Sequence, residues 1–297
     1  QGQPLEVVTV AHGDGAVLPV EARSPLIANG VLGVRIRFPY SYRTSVAHKS
    51  PFIWEQPGAH ASKLSKPARD HARKVRGLQG RLNLVLPRTA HPAFDKACAV
   101  MEIGVRRTPV RDLLADPEAM EAAIDGQTIM MVGSAPCFPF GLIDPIEALG
   151  ELALRRGVWL HVDACVGGYM APFVRMNGAD IAPFDFEVEG VWSMSADLHK
   201  YGYCAKGAST VFFRNGDLKS HMIFEVGDWP AGKMVTPTLA GTRPGGAIAA
   251  AWAVMNVLGE AGYRAKHAEV IAAREAIEAG ARGPGRGPPG GPQVGLD

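Results

Sequence analysis

Two stretches of the chain repeat one pattern: a helix-start signal, an apolar helical face, a glycine stop and a short apolar run. In the first, Asp116-Pro117-Glu118 supplies an N-cap, a proline at the first helical position and an acid in the first turn. Gly126 closes this helix, and residues 128–132 read as a buried strand. In the second, Asp144-Pro145 gives the start signal, and Ile146, Leu149 and Ala153 share one face. Arg155 and Arg156 occupy the last turn, Gly157 ends the helix, and 158–162 follow as a strand. Residues 191–195 and 209–213 read as further strands. Capped helices alternating with short apolar strands predict βαβ units, and so an α/β fold with a mostly parallel central sheet flanked by helices. Such sheets bind ligands beyond the carboxyl ends of their strands. Asp163 stands at one such end, and Lys200 follows another by a few residues.

Composition narrows the class. Of 297 residues, 47% are hydrophobic and 20% charged, the balance of a globular chain with a sizeable core. A net charge of +2 points to neither nucleic acid nor an anionic membrane. Cys98, Cys137, Cys165 and Cys204 are far apart and form no C-x-x-C pair, so neither a zinc site nor a disulfide framework is expected. Free thiols fit a reducing cytosol, no apolar run reaches membrane-spanning length, and no signal peptide is visible. The expectation is a cytoplasmic protein without a membrane span.

The two ends differ from the middle. Residues 1–62 show short apolar runs, scattered Gly and Pro and no repeating unit, and 1–67 are set apart as a poorly matching N-terminal segment, whereas nine of the ten residues 283–292 are Gly or Pro. That composition cannot build a packed core, so 281–297 are read as a disordered tail. Residues 247–280 read as helix, and 251–280 as the start of a second, truncated domain. The basic stretch Lys63, Lys66, Arg69, Arg73, Lys74, Arg76 and Arg81 reads as a solvated helix face.

The chemistry-bearing residues concentrate in His161-Val-Asp-Ala-Cys-Val-Gly-Gly168 and Ser193-Met-Ser-Ala-Asp-Leu-His-Lys-Tyr-Gly202. A lone Asp at a strand end is usually a turn residue, and a lone His-Lys is usually surface. Together, 37 residues apart and both at strand ends, they are more specific. With them stand Arg88-Thr-Ala-His-Pro-Ala-Phe-Asp95, Gly133-Ser-Ala-Pro136, Ile143-Asp-Pro-Ile146, Ser209-Thr-Val211 and Thr236-Pro-Thr-Leu-Ala-Gly-Thr-Arg-Pro-Gly245. In this order the segments resemble the fold-type I, group II pyridoxal-phosphate decarboxylase family, and within it the sphingosine-1-phosphate lyase-like branch. The resemblance runs from about residue 68 to about residue 262.

The resemblance implies a fold-type I large domain over 68–250 and pyridoxal 5'-phosphate as cofactor. It makes Lys200 and Asp163 the catalytic pair. Lys200 is the amine that forms an imine with the cofactor aldehyde, and burial beside a cationic ring would lower its pKa. Asp163 partners the ring nitrogen and keeps it protonated, so that the ring accepts electrons when a bond at the substrate's α-carbon breaks. The same resemblance sets His91 against one ring face and packs Cys165 on the other. It puts His199 near the cofactor phosphate and makes Ser134 and Thr242 phosphate or ring contacts. In the family the loop holding Thr242 reaches the partner subunit's cofactor, which implies a homodimer. His161 and Tyr203 are read as structural. A metal site from His161, Asp163 and His199 matches no known spacing, so no metal is expected.

The activity implied is a carbon–carbon lyase that cleaves a phosphorylated long-chain amino alcohol to an aldehyde and phosphoethanolamine, its partner a small-molecule or lipid-like amine substrate. Amino-acid decarboxylation is the alternative within enzymes, and a non-catalytic remnant the alternative outside them. Three departures bear on this. The family's Thr-Ser-Gly-Gly-Thr-Glu-Ser phosphate loop is replaced by Gly58-Ala-His-Ala-Ser-Lys-Leu-Ser-Lys66, Phe140 stands where the branch commonly has a histidine, and the resemblance stops short of a complete C-terminal domain. A reading-frame error or a gene fragment would produce such ends.

Overall fold

A computed structural model of the chain describes residues 71–281 except 72, 76, 79 and 240, with side chains to residue 280. Upstream it describes only the backbone of four strands. The expectations for the 58–66 loop, for most of the basic stretch and for the 281–297 tail therefore lie outside the described residues. The chain divides into two compact units, 1–50 and 51–297. The first holds β1 (Glu6–Thr9), β2 (Val17–Arg23) and β3 (Arg35–Pro39), paired antiparallel in that order.

The second unit is built on a seven-stranded sheet. Its strands are β4 (Ile53–Glu55), β5 (Asn83–Pro87), β6 (Gly104–Thr108), β9 (Thr128–Ser134), β10 (Trp159–Asp163), β11 (Val191–Ala196) and β12 (Ser209–Phe213). Between β6 and β9 lies a two-stranded ribbon of β7 (Val110–Arg111) and β8 (Leu114–Ala115). The spatial order is β4-β12-β11-β10-β9-β5-β6. Strands β6, β5, β9, β10 and β11 pair parallel, and β12 runs antiparallel to both of its neighbours. This is the mostly parallel α/β sheet expected.

The helices are α1 (Ala93–Val100), α2 (Pro117–Ala123), α3 (Ile146–Arg156), α4 (Ala171–Met176), α5 (Gly216–Ser220) and α6 (Gly246–Ala281). Successive residues of β9 supply opposite faces of the sheet. Met131 joins the cluster under α3 and α4 with Ile146, Leu149 and Val174, and Met130 and Val132 join the cluster with Phe94, Trp159 and Phe213. A sheet covered on both faces requires the near-continuous apolar runs seen in the sequence.

Local signals explain most boundaries. The Asp116 carboxylate accepts from the backbone N–H groups of Glu118 and Ala119, and Gly157 takes the left-handed conformation (φ 59°) that ends α3. Two expectations need correction. Gly126 does not cap α2, which stops at Ala123 with an extended Ile124, so Gly126 belongs to the turn into β9. Asp144 does not cap α3 either. Its carboxylate accepts from Ser134 N at 2.7 Å and Ala115 N at 2.8 Å, tying the end of β9 to β8. Helix α6 covers the helical stretch expected, but its direction breaks at Gly259 (φ 55°, ψ −174°). A paired β13 (Phe224–Val226) and β14 (Met234–Thr236) precede it. Among the described residues no helix is long and apolar enough to cross a membrane.

Candidate functional site

The carboxyl ends of β9, β10 and β11 open on a pocket of about 240 Å³. Its lining includes His91, Ser134, Asp163, Cys165, His199 and Lys200, six of the seven cofactor-site residues expected from the sequence. The seventh, Thr242, is exposed on the loop before α6 and does not line it. Phe140 is also outside the lining, while its neighbour Phe138 is in it.

The sheet explains this convergence. Parallel register sets Asp163 beside Ser134 of β9 on one side and Ser195 of β11 on the other. Asp163 Oδ1 accepts from Cys165 N at 3.2 Å and from Ser195 Oγ at 3.3 Å. Past the strand the chain must turn closely over its neighbours. A Cβ on Gly167 would sit 2.2 Å from the Ala135 carbonyl oxygen, and one on Gly168 would sit 2.5 Å from Ala196 Cβ. Only glycine permits that approach. His91 lies in the loop between β5 and α1, where its Nδ1 accepts from Ala93 N at 3.1 Å and its ring meets Phe138 edge-on. Nε2 is then the protonated nitrogen.

Lys200 follows β11 by four residues, in a turn held by Lys200 N donating to Asp197 O. Its Nζ is 3.1 Å from Asp197 Oδ2. The sequence reading missed Asp197. It is 2% exposed, accepts from Ser209 Oγ and stands 3.7 Å from His199 Nε2. Its signal was available, since Asp197 and Lys200 are three apart in the Ser193–Gly202 segment. His199 Nδ1 meets Ala208 O at 2.9 Å. Lys206 also lines the pocket and was likewise missed.

Charge follows from these contacts. Burial pulls the Lys200 ammonium's pKa down, but Cys165 first, then Asp197 and Asp163, outweigh it and the net direction is up from 10.5. Burial pushes the Cys165 thiol well above its usual range, so it is a neutral thiol near pH 7. Asp197 and Asp163 are the carboxylates among the neighbours that raise Lys200. Burial also raises Asp144 to about 6, against its two backbone N–H bonds.

A mostly parallel sheet with a lysine and an aspartate at its carboxyl edge is the arrangement that the resemblance to the fold-type I pyridoxal-phosphate class implies. The model of the pyridoxal-dependent decarboxylase conserved domain matches residues 59–285, and the chain belongs to that family. The match extends further at both ends than the residues that carry the resemblance. The sphingosine-1-phosphate lyase of Arabidopsis thaliana is 46% identical over 218 residues, covering 73% of this chain and 40% of that protein. A probable L-tyrosine/L-aspartate decarboxylase of Methanocella arvoryzae is 43% identical over 185 residues, covering 62% of this chain and 48% of that one. The solved sphingosine-1-phosphate lyase of Burkholderia pseudomallei superposes with a TM-score of 0.75 at 38% identity, over 78% of this chain and 53% of that one. The chain thus spans about two fifths of the length of the plant lyases it matches.

The donor set suits pyridoxal phosphate: two lysine amines, Lys200 and Lys206, two buried carboxylates, Asp163 and Asp197, and two imidazoles, His91 and His199, on a single pocket. Among the described residues no three His, Cys, Asp or Glu side chains gather as metal ligands would.

Proposed function

We propose that this chain is the cofactor-binding core of a pyridoxal-phosphate carbon–carbon lyase acting on a phosphorylated amino alcohol of the sphingosine-1-phosphate kind. The observation that carries the reading is the Lys200 amine and the Asp163 carboxylate lining one pocket in a chain 46% identical to such a lyase. When bound, pyridoxal phosphate supplies an aldehyde for exchange with amines and a ring that accepts electrons.

The chain's own residues do the rest. Lys200 carries the amine that holds the aldehyde. Asp163 would hold a proton on the ring nitrogen. His91 would lie against one ring face, and Cys165, a neutral thiol, would pack the other. His199 and Ser134 contact the phosphate or ring edge. Asp197 orients Lys200 and takes part of its charge, so the lysine stays protonated until a neighbouring anion is neutralised or the amine is engaged. Thr242 serves the pocket of a second copy, and the protein is a homodimer acting in the cytoplasm. The exposed Phe138, Phe140, Trp229 and Leu239 are side chains that such an interface would cover. The large domain is taken as 68–250, with the small domain beginning at 251.

The test is a paired assay of the purified chain with pyridoxal phosphate. Aldehyde release from sphingosine 1-phosphate, lost in Lys200→Ala, is expected. Carbon dioxide from tyrosine or aspartate without aldehyde would select the second reading, amino-acid decarboxylation, which the Methanocella relative favours. Neither product would leave the non-catalytic reading.

A further inference from the structure

Trp159, His161 and Asp163 alternate along β10, so their side chains leave the same face of the sheet. On β11, His161 is paired with Ser193 and Asp163 with Ser195, a register set by an irregularity between Leu160 and His161. His161, Ser193 and Ser195 are fully buried, and Trp159 is 1% exposed. A fully buried imidazole beside Phe94 and Trp159 occupies space an apolar side chain would fill at less desolvation cost.

The polar atoms form one chain of bonds. Trp159 Nε1 donates to Ser193 Oγ at 2.7 Å, and Ser193 Oγ meets His161 Nδ1 at 2.9 Å. His161 Nε2 meets Ser195 Oγ at 3.3 Å, and Ser195 Oγ donates to Asp163 Oδ1 at 3.3 Å. Cys165 Sγ donates to the same Ser195 oxygen at 3.2 Å. A hydroxyl has one proton and two lone pairs. At Ser195 the proton goes to Asp163 and one lone pair to Cys165, so the other lone pair accepts His161 Nε2–H. For a neutral imidazole, which complete burial favours, His161 Nδ1 is then an acceptor, Ser193 is its donor, and the Trp159 N–H fills a Ser193 lone pair. Every proton in the chain then points toward the carboxylate, with the imidazole proton on Nε2.

We infer that His161 is a positioning residue for Asp163. It does not line the pocket. It fixes the Ser195 hydroxyl as a donor to Oδ1, which with Cys165 N–H puts two donors on that oxygen. Donors to a carboxylate favour its charged form, here against burial. This rests on the cofactor reading only in its purpose: an anionic Asp163 is what a protonated ring nitrogen requires.

The test titrates the Asp163 carboxyl carbon by NMR in the cofactor-free full chain labelled with carbon-13 aspartate, the signal assigned by its loss in Asp163→Asn. In His161→Phe and Ser195→Ala the Asp163 midpoint is expected to rise by about one pH unit. His161→Gln, which keeps an N–H at the Nε2 position, is expected to restore the wild-type midpoint even if its thermal stability stays as low as that of His161→Phe. An unchanged midpoint in folded His161→Phe overturns the inference. Should that variant fail to fold, an unchanged midpoint in Ser195→Ala does the same. Absorbance titration with pyridoxal phosphate separates the two readings. About tenfold weaker binding in His161→Phe supports the relay, whereas a wild type that binds none while its midpoint still responds overturns the cofactor reading alone.

Discussion

At the scale of single residues, the unexpected participant is Asp197. The sequence marked Lys200 and Asp163, but Asp197 Oδ2, 3.1 Å from Nζ, is the closest anion to the amine. Because the ammonium is held above its usual pKa, the cofactor-free chain should react with pyridoxal phosphate faster as pH rises above neutrality. In Asp197→Asn one anion is lost, and the rise should begin at lower pH, read from the growth of imine absorbance against pH. Asp144 gives a stability prediction of definite sign. Its folded pKa, about 6, lies above the ordinary 3.8, so the folded state binds the extra proton between those values. Its contribution is complete below about pH 4 and is lost as pH rises through 6, on the order of 3 kcal/mol by linkage. Urea unfolding should show the wild type's margin over Asp144→Asn shrinking between pH 4.5 and 7. His161 was read as structural because a buried histidine on an apolar strand carries no sequence mark of its hydrogen-bond direction. That direction depends on Ser193 and Ser195, 32 and 34 residues away.

At the scale of elements, legibility followed local chemistry. Helix α2 starts at its Asp-Pro-Glu signal, α3 stops at Gly157, and β9, β10, β11 and β12 fall within two residues of the apolar runs that predict them. Strands β5 and β6 were not read. β5 is five residues ending in proline, and edge strand β6 carries Arg106 and Arg107, which pair with Asp125 and Asp95 and hide the apolar alternation. Asp144 looked like a helix cap because Asp-Pro is one locally. Its use between Ser134 and Ala115 is tertiary. The Gly167–Gly168 turn belongs to this scale. Gly167→Ala places a methyl against the Ala135 carbonyl, and the loss of stability should be about 3 kcal/mol by denaturant unfolding. After Gly259, α6 packs on the lysine loop, where Tyr263 Oη donates to Gly202 O at 2.8 Å and its ring stacks on Phe173. Tyr263→Phe should keep the stack and lose about 1 kcal/mol, seen in the same unfolding experiment.

At the scale of the whole molecule, a mostly parallel sheet gathers groups scattered over more than a hundred residues, from His91 to Lys200, because strand ends converge where loops are free to vary. Sequence motifs named those groups, but Thr242 stands apart from the pocket of its own chain. If it serves a second copy, sedimentation equilibrium should give twice the mass of one chain, and Thr242→Ala should weaken cofactor binding without changing that mass. The most direct measurement remains at Lys200. The full chain is incubated with pyridoxal phosphate, reduced with borohydride, digested and weighed. The account predicts a pyridoxyl mass on the peptide holding Lys200, absent from Lys200→Ala. No adduct, or an adduct confined to another lysine such as Lys206, would contradict it.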